Sequence, residues 1–283
     1  MKNNTVDKQP IVSVIMGLYD GDKPEWLKSS IDSILSQTYS NFEFIVVLDG
    51  VKKAVLSQIV ANYALRDSRI RIVRLPVNMG LARVLNSAIS ISQGEFIVRM
   101  DADDISPPER IECLVKFMLL NPDVDVAGSY TLEFSDEHDI SVGHIVKYPY
   151  VHEEMRSCML RRNPLAHPSA IFRPNFFEKA GSYPLFSIRN EDTLHWLNGF
   201  KAGCRFANLP KVLYFVRYDS TNSGRRAGFR KSFSDFIDRT RVIIDLGGTL
   251  SDYIAALVML IIQNMPRSVH LAIRSTLIYR TNS

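Results

Sequence analysis

The sequence predicts an α/β fold built on a mostly parallel sheet, and three observations carry that expectation. Short apolar, β-branched runs begin near residues 11, 42, 70 and 96. The gaps between them hold apolar residues at helical spacing, which is the pattern of consecutive βαβ units. Each run also exits onto polar residues: Tyr19 and Asp20, Asp49, Asn78, and Asp101 with Asp103. Parallel sheets gather ligands beyond the carboxyl ends of their strands, so the four exits predict one functional edge.

Ile11–Met16 reads as a buried strand. Asp22 followed by Glu25 predicts a capping box, with Pro24 in the first turn of a helix that carries Leu27, Ile31, Ile34 and Leu35. Phe42–Leu48 is the second strand, and Val55, Ile59, Val60 and Tyr63 mark a helix after it. Ile70–Leu75 and Phe96–Met100 are the third and fourth strands, on either side of a helix over 80–92. Pro107–Leu120 reads as helix, Val124–Gly128 and Tyr130–Phe134 as strand, and 135–139 as a turn. The stretch 145–190 is irregular, with a short strand at Ala170–Phe172. Glu191 and Asp192 open an amphipathic segment through Lys201, with Leu194 and Leu197 or Trp196 and Phe200 facing inward. Val212–Tyr218 is a last strand, and helices follow near 231–246 and 251–264, the second stopped by Pro266. This divides the chain into a domain over 1–220 and a basic helical C-terminal extension over 221–283.

With 46% apolar residues in 283 the chain can bury a sizeable core. Its net charge of +4 is unevenly spread: residues 205–283 hold 12 Lys/Arg against 5 Asp/Glu. That basic third suits an anionic partner such as phosphate or lipid headgroups. Nucleic acid is not expected, because the basic residues come without stacking aromatics or a recognised module. Three widely spaced cysteines suggest reduced thiols in the cytoplasm. The polar N-terminus shows no signal-peptide core, and the apolar run near 253–262 is too short to span a bilayer. Leu257–Ile262 and the segment after Pro266, where Arg267, Arg274 and Arg280 alternate with apolar residues, suggest a peripheral interfacial helix or an ordinary packed one. Oligomeric state is left open.

The strand Phe96–Met100 stops at Asp101, Asp103 and Asp104. Two unit charges 4 Å apart repel by about 1 kcal/mol in water and about 4 kcal/mol near a protein surface. Fold stability gives no reason to collect carboxylates there, whereas a divalent cation or a sugar hydroxyl does.

Taken in order, several pieces resemble the family 2 inverting glycosyltransferases of GT-A fold, in particular bacterial enzymes that build exopolysaccharide, capsule or O-antigen. The pieces are Val12–Met16 with Tyr19; Ser33–Tyr39; Val46–Gly50; Asn78–Ala82 with Asn86; Met100–Asp104; and Glu191-Asp192 before Trp196. The resemblance covers roughly 11–200. It implies a Rossmann-like mostly parallel sheet flanked by helices, a nucleotide-sugar donor with UDP, a divalent metal (Mn²⁺ or Mg²⁺) and a lipid-linked oligosaccharide acceptor. By the same likeness Asp103 holds the metal, and Asp101 contacts the ribose or the metal. Tyr19 and Asp49 lie against the nucleotide, Asp49 reading the base. Asn78, Gly80 and Arg83 face the diphosphate. Asp192 is the general base with Glu191 beside it, Trp196 stacks on the acceptor or fills core, and His167 lines the acceptor side. Two features depart from the family: Leu48 replaces the first acid of its Asp-Asp-Gly, and Arg217-Tyr218-Asp219 lacks the usual histidine. A sugar nucleotidyltransferase and a binding module without turnover are the alternatives. The first wants a lysine-rich loop that Gly17–Gly21 lacks, and the second has no use for Asp192.

Overall fold

The structure is a computed structural model that describes residues 9–135, 143–186, 190–218 and 229–265. Most of the turn expected at 135–139 lies outside those residues, as do Asp219, Arg225, Arg226 and everything from Pro266 onward.

The first strands are β1 (Val12–Leu18), β2 (Phe42–Asp49), β3 (Ile70–Leu75) and β4 (Phe96–Asp101), joined by α1 (Pro24–Leu35), α2 (Ala54–Ala64) and α3 (Leu81–Ile91). All four are parallel, with β1 between β2 and β4. Strand order reverses about β1, and a crevice opens where such a reversal occurs. Next come α4 (Arg110–Leu120), β5 (Val126–Phe134), β6 (His144–Val146), α5 (His152–Met159), β7 (Ile171–Phe172), α6 (Asn175–Ala180), α7 (Glu191–Lys201) and β8 (Phe206–Arg217). The sheet runs β3-β2-β1-β4-β7-β5-β6, with β8 parallel beside β5. Because β7 is antiparallel to both β4 and β5, β8 points the same way as β4. The end of β8 therefore reaches the edge where Asp101 emerges.

Two cores sandwich the sheet. Val14, Met16, Val98 and Met100 pack with Leu27 and Ile31 of α1 and Leu114 and Met118 of α4. Ile15, Ile45 and Ile97 pack on the other face with Leu85 of α3, Phe176 of α6, and Leu194 and Trp196 of α7. Strand alternation puts Arg99 on the Ile97 face, toward α7. Two further helices, α8 (Phe229–Leu246) and α9 (Leu250–Gln263), follow β8, and Val242 and Leu246 of α8 join the second core. No helix among the described residues is long and apolar enough to cross a membrane.

Several local expectations are corrected. Lys23, not Asp22, precedes α1, without a side-chain cap. Asp22 instead accepts the Tyr19 N–H at 2.8 Å, folding the loop after β1 back on itself. The helix expected from Pro107 starts at Arg110, since a residue ahead of a proline is disfavoured in helical geometry. The two strands expected over 124–134 are one, and its register against β8 shifts about Tyr130. β8 begins at Phe206, ahead of the exposed Pro210 that breaks its pattern.

Candidate active site

Asp101, Asp103 and Asp104 form a tight turn off β4, with carboxylate oxygens all within 4.8 Å of one another. Burial and the neighbouring Asp101 push Asp103 up to about 6. Asp104 is buried deeper and is held well above its ordinary range, by burial and then by Asp103 and Asp101. β8 braces the turn. Arg217 donates its backbone N–H to Asp104 Oδ1 at 2.7 Å and its Nε–H to the Asp103 carbonyl at 2.8 Å. The Tyr214 hydroxyl accepts from the Asp101 N–H at 3.1 Å and bonds Asp104. Clustered hard oxygen donors of this kind fit a Mg²⁺ or Mn²⁺ ion. With both Asp104 partners on the protein side, Asp103 and Asp101 are the ligands best placed for it.

Two buried arginines compensate the acids. Arg99 Nη2 lies 2.6 Å from Asp101 Oδ1, while its Nε and Nη1 have no hydrogen-bond partner among the described residues. Arg110 donates to the Arg99 carbonyl at 2.7 Å and the Pro168 carbonyl at 2.8 Å, beneath the Tyr214 ring. Burial lowers Arg110 to about 10. The sequence motifs assign neither a role. A lone arginine in an apolar run was the available signal, since a charge there needs a buried partner.

Across from the turn stands the start of α7. Asp192 Oδ2 accepts from Asn163 Nδ2 at 2.9 Å, and Oδ1 accepts the Thr193 N–H at 2.7 Å. Burial raises Asp192, opposed by the Thr193 hydrogen bond and by Arg99. Burial and Asp192 raise Glu191. His167 Nε2 meets the Tyr183 hydroxyl at 2.8 Å. Burial, then Arg99, hold this imidazole well below its usual range, hence neutral.

One cavity of about 440 Å³ joins the two sides, lined among others by Asp101, Asp103, Asp104, His167, Asp192 and Arg217. The other candidates sit around it. Tyr19 is exposed at the β1 exit. Asp49 is buried, its two oxygens accepting the Met79 and Gly80 N–H groups at 2.6 and 2.9 Å. One lone pair of each oxygen is thus spent on the loop before α3, and the Gly80 amide is already donated. Asn78 is exposed in that loop. Arg83 lines a separate shallow depression with Met79, Asn86 and Leu185. Trp196 is fully buried and stacked on Phe172, so it fills core and the acceptor-stacking alternative falls away.

An α/β sheet whose switch-point crevice holds a carboxylate trio opposite a half-buried aspartate defines a GT-A type glycosyltransferase. The Glycosyl transferase family 2 profile matches residues 13–181, and the chain belongs to that family. It is 32% identical over 217 residues to the amylovoran biosynthesis glycosyltransferase AmsE of Erwinia amylovora, covering 77% of this chain and 80% of that protein. It is 29% identical over 229 residues to the UDP-Gal:alpha-D-GlcNAc-diphosphoundecaprenol beta-1,3-galactosyltransferase of Escherichia coli, covering 81% and 82%. The mannosyltransferase PcManGT of Pyrobaculum calidifontis, solved with GDP-Man and Mn²⁺, shares the fold at a TM-score of 0.64 and 20% identity, over 97% of this chain and 83% of that one.

Proposed function

We propose that the protein transfers a sugar, with inversion, from a UDP-sugar to a lipid-diphosphate-linked oligosaccharide in surface polysaccharide assembly. The observation that carries this reading is the single cavity lined by both Asp103 and Asp192. The galactosyltransferase relative, whose name states a UDP donor and a diphosphoundecaprenol acceptor, supports the choice of both. AmsE, named for amylovoran biosynthesis, supports the polysaccharide setting. An acceptor on a lipid brings the enzyme to the cytoplasmic face of a membrane as a peripheral protein.

Asp103 and Asp101 would hold a divalent cation, which would neutralise charge on the departing diphosphate. Asp192 takes the proton of the acceptor hydroxyl as its oxygen bonds the anomeric carbon. The bond from that carbon to the donor phosphate oxygen breaks, and its electron pair leaves with UDP. One carboxylate suffices, as base, because the cation would assist the departing diphosphate and no general acid is needed on that side. Asn163 and the Thr193 N–H aim the Asp192 carboxylate, and burial lifts it toward the proton affinity a base needs. Arg99 keeps Asp101 turned into the site. Tyr19 and Asp49 border the nucleoside, with Asn78, Gly80 and Arg83 on the diphosphate side.

Asp192→Asn tests the assignment. Losing a general base costs about 10²–10⁴-fold in rate. Transfer should fall by that amount while UDP affinity with manganese stays within about twofold of the parent, by titration calorimetry. Unimpaired transfer in this variant would remove Asp192 from the mechanism.

A further inference from the structure

The α8–α9 hairpin carries an apolar surface that the catalytic account leaves unused. On α9, Leu250, Ile254, Leu257, Val258 and Ile261 are all exposed, Leu250 by 75% and Ile254 by 54%, and Met265 just past its end is exposed as well. Within the helix their spacing of four, three, one and three places them on one face. The helix buries only Asp252 and Ala256. Asp252 is also its single charged residue, and it turns inward to Arg161 at 3.0 Å and to the Thr249 N–H at 2.9 Å. Nothing charged on α9 therefore offsets the exposed stripe. α8 adds Phe229, Phe233 and Ile237, exposed at four-residue intervals. A helix so apolar usually lies in a core or a bilayer, yet at 14 residues it is too short to cross one.

The chain beyond this surface indicates what covers it. Eighteen residues follow Met265, and they hold Arg267, Arg274 and Arg280 without one Asp or Glu. An uncharged apolar face that runs on into an acid-free basic segment suits an anionic lipid leaflet, where acyl chains take the first and headgroups the second. A second copy of the chain would bring the same basic segment, and like charges would meet. The hairpin is also tied to the base side of the site: Asn190, just before α7, donates to Asp235 Oδ1 at 2.7 Å and Asp238 Oδ2 at 2.9 Å on α8.

We propose that the exposed face of α9, with the adjoining α8 stripe, is the surface by which the enzyme seats on an anionic membrane leaflet, presenting the Asp192 side of its cavity to lipid-borne acceptors. This deepens the lipid-linked acceptor reading and rests on it. The test uses the full chain and a variant with Ile254→Glu, Leu257→Glu and Ile261→Glu, all at exposed positions away from the catalytic cavity. Flotation is measured with phosphatidylcholine vesicles, with and without phosphatidylglycerol. The parent should float with the anionic vesicles and far less with the neutral ones, and the variant should lose about tenfold or more of that binding. Both proteins should show the same circular dichroism and the same manganese-dependent UDP release in solution. A parent that floats with neither vesicle, or a variant that floats as well as the parent, overturns the proposal. So does a concentration-dependent dimer that the variant abolishes, which would assign the face to a second copy. Vesicle binding without UDP release would instead overturn the transferase reading and leave the docking surface standing.

Discussion

Asp103 is the residue whose chemistry sets the working conditions. Its folded pKa is pushed up to about 6, so below that pH its neutral form prevails. As the proposed metal ligand it must be the carboxylate, so proton and manganese would compete for it. Apparent manganese affinity, followed by thermal shift, should fall as pH drops from 7 to 5, by about tenfold per unit once below 6. A flat profile would place the ion elsewhere. In the metal-free protein the sign reverses: a raised carboxyl stabilises the fold below about pH 4, and that contribution fades as pH climbs through 6. Arg99 makes a second case. Replacing it by Met leaves the acid cluster without its nearest buried cation and should cost about 3 kcal/mol at neutral pH. The loss should shrink at pH 5, where Asp103 is protonated and the cluster carries less negative charge; urea unfolding at the two pH values measures both. The Asp-x-Asp spacing was legible because its chemistry is local in sequence. Arg99 was not: its partner Asp101 is only two residues on, but the Tyr214, Tyr183 and Glu191 side chains that also bear on its charge lie far along the chain.

Among elements, the exit of β2 shows how backbone geometry positions ligand-facing loops. Gly50 has φ 61°, and a Cβ there would lie 2.2 Å from the Asn78 nitrogen and 2.4 Å from the Val77 carbonyl carbon. Gly50→Ala should therefore cost about 2–3 kcal/mol. It should also weaken nucleotide binding, since the loop it displaces is the one Asp49 holds. Urea unfolding with UDP titration checks this, and a change under about 0.5 kcal/mol would contradict it. The four βα units were readable because their periodicities are clean and their lengths ordinary. By contrast α5 and α6, at 8 and 6 residues, are too short for a helical period to stand out. The early start of β8 was hidden by Pro210 and Lys211, which the shifted register with β5 accommodates.

Across the whole molecule, β4, β8 and α7 close one cavity, and the chemistry proposed for it is twofold: a cation at Asp103 and Asp101 and a base at Asp192. The convergence of strand exits on one edge was legible, because parallel strands share a direction. That α7 would face the same edge was not, since it is packing on the Phe172 and Phe176 side of the sheet that puts Asp192 there. Crystals grown with manganese and UDP test the claim most directly. The anomalous signal should lie about 2.0–2.2 Å from a carboxylate oxygen of Asp103, beside the diphosphate, with Asp192 facing it across the cavity. Manganese bound away from the β4 turn, or a nucleotide outside the space shared with Asp192, would contradict the account.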